Sequence, residues 1–141
     1  MNLVTLVWIA GLGQIVLVCA SLTIPRVLGW REELQALRPL TRQVFWTYAG
    51  YILCLNLCFG LLSTLAPRLL VDGSRLATAV SGFIALYWGV RIAIQFFYFD
   101  RSSAPAGRLV RLAEVALVGL FLFLTLVYGV AAGINLRGGV A

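Results

Sequence analysis

The chain has 141 residues, of which 62% are hydrophobic and 11% charged, with a mean hydropathy of +0.99. Soluble domains are roughly half apolar and about a quarter charged, so a water-soluble globule is excluded. The net charge of +6 comes from eleven basic residues, all arginine, against five acids, and the chain contains no histidine.

Missing histidine removes the commonest metal ligand and the usual haem axial ligand. A histidine-ligated haem subunit and any histidine-dependent hydrolase are therefore excluded. The arginines cluster at the ends of apolar runs, which is the pattern of membrane anchoring rather than of nucleic-acid binding. The expected partner is the lipid bilayer; no nucleic acid, cofactor or metal is expected.

The first apolar run covers 3–24 and ends before Pro25-Arg26. It lacks a basic start and is too long for a cleaved signal peptide. Val16-Leu17-Val18-Cys19 loosely resembles a lipoprotein signal, but Val18 is a poor residue before the cysteine, so no lipidation is expected. Gln14 lies near the centre of this run.

The connection 25–43 carries Arg26, Arg31, Arg38 and Arg42. Within it Val27, Trp30, Leu34 and Leu37 recur at three- and four-residue steps. That spacing predicts a short helix lying in the interface, with Trp30 at headgroup depth. Pro39 should end it, and Thr41 is the expected N-cap of the second span.

The second run covers 44–66 and stops at Pro67. Gly50, Cys54 and Cys58 share a face, and the two cysteines are read as small packing residues. Cys19 is offset from Cys58 by about 13 Å in height at ~1.5 Å per residue, so the three do not form a metal site. Asn56 sits near the centre of the run, at the height of Gln14, and the two are expected to bond across the helices.

The third run covers 76–99 and stops at Asp100-Arg101. Ala77, Ser81, Ala85, Gly89 and Ala93 put a small residue at every fourth position, a groove for close helix contact. Arg91 lies inside this run. An arginine at the centre of an isolated helix costs at least ~2.5 kcal/mol, so a partner is expected. Glu114, about one turn inside the fourth run, is the expected one, at a height difference of roughly 6 Å. Tyr48, Tyr51, Tyr87 and Gln95 would complete a polar cluster. Gly89 and Ala93 lie on the side of the helix away from Arg91, which suggests that the lower groove meets another subunit. Phe96, Phe97, Tyr98 and Phe99 read as an interfacial aromatic belt.

The fourth run covers 109–134 and contains Gly129-Val-Ala-Ala-Gly133, a GxxxG motif for helix packing. The whole therefore reads as an all-α polytopic membrane protein. It is a single integral domain, 1–141, with four transmembrane helices in an antiparallel bundle and a short interfacial helix in the first loop.

Seven arginines lie in the connections 25–43 and 100–111, against three (Arg68, Arg75 and Arg137) on the other side. The positive-inside rule then places both connections in the cytoplasm and both termini outside. An arginine-only basic set with short loops fits a bacterial inner membrane.

Three activities compete. A non-catalytic accessory, assembly or oligomeric scaffold subunit fits the packing grooves and the lack of a nucleophile–base set. A small transporter or channel for an anionic or polar solute would use Arg91. In size and span count the chain is similar to small multidrug-resistance transporters, but those carry a membrane-embedded glutamate in the first helix, where this chain has Gln14. A quinone- or lipid-binding subunit of a membrane redox complex would use Arg91, Gln95 and the tyrosines.

Overall fold

The computed structural model describes residues 2–98 and 107–138. Phe99, Asp100, Arg101 and most of the third connection lie outside the described residues. Four helices are long and apolar enough to cross a membrane. They are α1 (Leu3–Ser21), α4 (Pro39–Leu65), α5 (Arg75–Phe97) and α6 (Arg108–Leu136). Two one-turn helices, α2 (Ile24–Val27) and α3 (Trp30–Glu33), lie between α1 and α4. The described residues contain no strand. An integral membrane protein built as a helix bundle follows directly.

Local chemistry sets the helix starts. Asn2 opens α1: its Oδ1 accepts from the Thr5 amide at 2.8 Å and from the Thr5 hydroxyl at 2.6 Å. Ser74 caps α5 by accepting from the Ala77 amide at 3.0 Å. α4 has no side-chain cap; it starts five residues before the expected 44, with Pro39 in its first turn. A proline there loses nothing, because the first-turn amides have no helical partner anyway. Thr41 is therefore inside the helix, not its cap.

The expected single interfacial helix is broken in two. Gly29 adopts φ +61°, a left-handed conformation that glycine takes without strain. It ends α2 and restarts the chain as α3, and a 3-10 turn, Leu34–Ala36, follows. Trp30 anchors this segment to α4, with ring centroids 5.0 Å from Phe45 and 6.0 Å from Trp46.

Glycine decides how close the first pair of helices comes. A methyl group placed on Gly11 would fall 2.8 Å from Ser63 Cβ; one on Gly60 would fall 2.9 Å from Ile15 Cγ1. α1 and α4 thus meet almost backbone to backbone. In α5 and α6, Gly89 faces Thr125 and Gly82 faces Ala132. In both pairs the numbering rises on one helix as it falls on the other, so the partners run in opposite directions. The α5–α6 contact is the most extensive in the molecule, with α1–α4 next.

Buried residues recur at alternating steps of three and four. They are Ala77, Ser81, Ile84 and Trp88 on α5, and Phe121, Leu124, Tyr128, Ala131 and Asn135, with Val127 beside them, on α6. That period is what side-by-side helix packing demands. The rest of each long helix presents leucine, valine and phenylalanine outward. In water this would be a defect; in lipid it is the expected surface.

Two of the expected packing faces are not used within the chain. Gly50, Gly129 and Gly133 have nothing within 4 Å of where a Cβ would stand, and all three cysteines are exposed. Gly50, Cys54 and Cys58 lie off the interior stripe of α4, which runs through Asn56, Phe59, Gly60 and Ser63. Gly129 and Gly133 likewise lie beside the interior stripe of α6 rather than on it. The small-residue groove of α5 is used within the chain: Ala77 and Ser81 are buried, and Gly89 packs on Thr125. Of its five members only Ala93, at the lower end where a second subunit is expected, is exposed.

Candidate functional site

The interior is organised around a polar chain to which each of the four long helices contributes one side chain. Trp88 Nε1 on α5 donates to Gln14 Oε1 on α1 at 3.2 Å. Gln14 Nε2 donates to Tyr128 Oη on α6 at 2.6 Å. Tyr128 Oη lies 2.6 Å from Ser63 Oγ on α4. Because the tyrosine oxygen accepts from Gln14, its own proton is available to Ser63. Gln14, Ser63, Trp88 and Tyr128 are each at most 1% exposed.

The hub revises the reading of Gln14. Its expected partner was Asn56, but Gly60 is the residue that faces Ile15 across the α1–α4 contact. Asn56 therefore lies about one turn away, 9% exposed, with its Oδ1 unpaired among the described residues. It lies close enough to the Tyr87 hydroxyl to interact with it. Tyr87 in turn packs edge-on against Phe59 at 5.4 Å and against Trp88 at 5.1 Å.

Arg91 extends the same aromatic series one turn further along α5. Its Nη1 donates to Gln95 Oε1 at 3.3 Å, one turn along α5. Its guanidinium carbon stands 5.4 Å from the centre of the Phe121 ring, within cation–π range. The same Phe121 ring is stacked on Trp88 at 5.2 Å and 20°. Arg91, Gln95 and Tyr87 are thus brought together as expected.

Glu114 sits elsewhere. With Gly89 facing Thr125 and Gly82 facing Ala132, position 123 of α6 lies opposite Arg91. Glu114 is nine residues further along, about 13 Å at ~1.5 Å per residue, not the 6 Å expected. Tyr48 and Tyr51 do not join the cluster either. They are 66% and 70% exposed, on the outer face of α4 beside Gln43, Val44 and Thr47.

A second polar knot closes the opposite end of the bundle. Leu70 carbonyl accepts from Asn135 Nδ2 at 2.8 Å and from Ser81 Oγ at 3.0 Å. Asn135 Oδ1 accepts from the Gly73 amide at 3.0 Å. The connection between α4 and α5 is thereby tied to both α5 and α6. Asp72 braces the turn by accepting from the Ser74 amide at 2.8 Å, and these contacts with Ser74 hold its carboxyl below the ordinary 3.8.

Sequence reasoning missed Tyr128, Ser63 and Trp88, as well as Gly11 and Gly60. A tyrosine deep in an apolar run was the available signal, because a buried phenol needs a partner. Comparison with protein-family models, with curated proteins and with solved structures finds no match in any of the three.

Proposed function

We propose that the chain is a non-catalytic membrane subunit, an accessory, assembly or oligomeric scaffold protein. The observation that carries this reading is the four-helix hub. Its buried polar side chains bond to one another across all four spans, an arrangement that locks helix positions rather than one that opens a path. A second feature supports association: Gly129 and Gly133 lie open on α6, a small-xxx-small face suited to a partner helix. The arginine bias supports an orientation with 25–43 and 100–111 in the cytoplasm and both termini outside, in a bacterial inner membrane.

Native mass spectrometry of the gently solubilised protein tests the proposal. A homo-oligomer or a co-purified chain supports it, with the Gly129→Leu/Gly133→Leu variant shifting the assembly to monomer. A lone monomer carrying a stoichiometric small molecule overturns it.

One observation favours a second reading, a subunit that binds a quinone or a similar polar ring. Asn56 Oδ1 is a buried, unpaired acceptor beside Tyr87 and the aromatic series that ends at Arg91. A bound molecule lost in Asn56→Leu would favour that reading over the scaffold.

A further inference from the structure

The segment between α1 and α4 forms one wall of a groove of about 610 Å³, and α4 forms the other through Trp46. Leu22 and Pro25 make its apolar side; Arg26, Arg31 and Glu32 make its charged side. The volume is within the range of small-molecule sites, ~300–1,000 Å³. The left-handed turn at Gly29 creates it. The amides of Glu32 and Glu33 donate to the Gly29 carbonyl at 3.0 and 3.2 Å, which brings Arg31 and Glu32 back to the groove that Arg26 enters from α2.

Depth and charge together specify an occupant. Trp30, Phe45 and Trp46 pack edge-on in a trio, and tryptophan, with its amphipathic ring, concentrates at headgroup level. The groove lies where α1 ends and α4 begins, so phospholipid phosphates stand at its height. Arg26, Arg31 and Glu32 make no hydrogen bond or ion pair with one another, and all three are exposed to whatever enters. Two guanidiniums suit a phosphate, which arginine binds with its planar fork. The carboxylate beside them would repel a lipid whose headgroup bears only negative charge. It would attract one that also bears an ammonium with hydrogens to donate.

We propose that this groove binds a phospholipid headgroup bearing both a phosphate and a primary amine, as in phosphatidylethanolamine. Arg26 and Arg31 hold the phosphate, Glu32 holds the ammonium, and Leu22, Pro25 and Trp46 receive the first part of the glycerol and chains. The site is independent of the scaffold reading, since it involves neither the hub nor the open face of α6.

The test uses the full chain reconstituted in vesicles of equal parts phosphatidylethanolamine, phosphatidylglycerol and phosphatidylcholine. The protein is extracted gently and its retained lipid identified by native mass spectrometry. Phosphatidylethanolamine should be retained at roughly five times the level of phosphatidylglycerol or phosphatidylcholine, the ratio that one favourable charge contact near the surface, here Glu32 with the ammonium, provides. Arg26→Ala/Arg31→Ala should abolish retention of any phospholipid. Arg26→Lys/Arg31→Lys, which keeps the charge but not the fork, should weaken it. Glu32→Gln should remove the preference for the amine lipid while phosphatidylglycerol is still retained. Thermal unfolding of each variant establishes that the fold is intact. Retention in bulk proportions, equal or greater retention of phosphatidylglycerol by the unaltered protein, or no change in the double alanine variant overturns the proposal.

Discussion

Tyr128→Phe removes one oxygen from the centre of the protein while keeping the ring that packs against the core. That oxygen lies 2.6 Å from both Gln14 Nε2 and Ser63 Oγ, so two short hydrogen bonds vanish together. Inside a membrane protein a side-chain hydrogen bond averages about 0.6 kcal/mol and reaches ~1.7. Leaving a buried donor unpaired adds roughly 1–3 kcal/mol. Gln14 keeps a long contact with the Ala10 carbonyl at 3.5 Å, which softens its loss. A destabilisation of about 2 kcal/mol follows for the pair of bonds. The assay is reversible unfolding in mixed micelles, with Tyr51→Phe as control because Tyr51 is exposed and unbonded. A double-mutant cycle with Ser63→Ala then isolates the Tyr128–Ser63 term, expected at about 0.6 kcal/mol or more. Tyr128→Phe matching Tyr51→Phe, or strict additivity in the cycle, would refute the claim that the hub fixes the bundle.

Four further outcomes follow. Gly60→Ala should destabilise by about 1–3 kcal/mol, because its methyl group would fall 2.9 Å from Ile15 Cγ1 and 3.3 Å from the Gly11 carbonyl. Gly50→Ala, with open space around it, should be neutral or gain up to ~1 kcal/mol of helix propensity; the same unfolding assay compares the two. Asp72 titrates below its ordinary 3.8 when folded, so its support for the turn is present above that value and fades as the pH falls through the folded value. The gap in midpoint temperature between the native protein and Asp72→Ala should therefore be constant near neutrality and close toward acid. Asn135→Leu should expose the α4–α5 connection to proteolysis, since it removes both bonds that tie Leu70 and Gly73 to α6.

The four spans were legible because hydropathy reports length and lipid exposure directly. The start of α4 shifted most, by five residues, because Pro39 opens that helix, and the other ends moved by at most three. Interior faces were harder to see. In a soluble helix the buried side is the apolar side; here both sides are apolar, so periodicity carries little contrast. Small residues were the substitute signal, and it worked for Ala77 and Ser81 but misled for Gly50 and the cysteines. A small residue shows that a close approach is allowed, not that it occurs. Polar residues located depth correctly but not partners. Gln14 was placed at the centre, yet which helix it meets depends on rotation about α1, and that is set by Gly11 meeting Ser63 and Thr64.

Arg91 shows how such a bundle carries a charge within a span. The residue is six positions from the end of α5, about 9 Å of helix, much of which its long side chain can reach across. The full insertion cost of ~2.5–3.5 kcal/mol applies only at the centre. Against the remainder stand a hydrogen bond to Gln95, worth about 1 kcal/mol, and the Phe121 ring, worth about 0.5–2. These magnitudes are comparable, so Gln95 on its own helix and Phe121 on α6 both help to accommodate the guanidinium. The same ring is stacked on Trp88, which donates to Gln14. Charge, aromatic series and polar hub therefore form one connected structure. A substitution at Phe121 should disturb both ends of it: Phe121→Leu removes the cation–π face and the stack that orients the Trp88 indole. Its cost should exceed that of Phe83→Leu, which loses only an edge contact with Phe59 at 5.9 Å. Equal costs for the two would mean that the hub and the arginine are neighbours without being coupled.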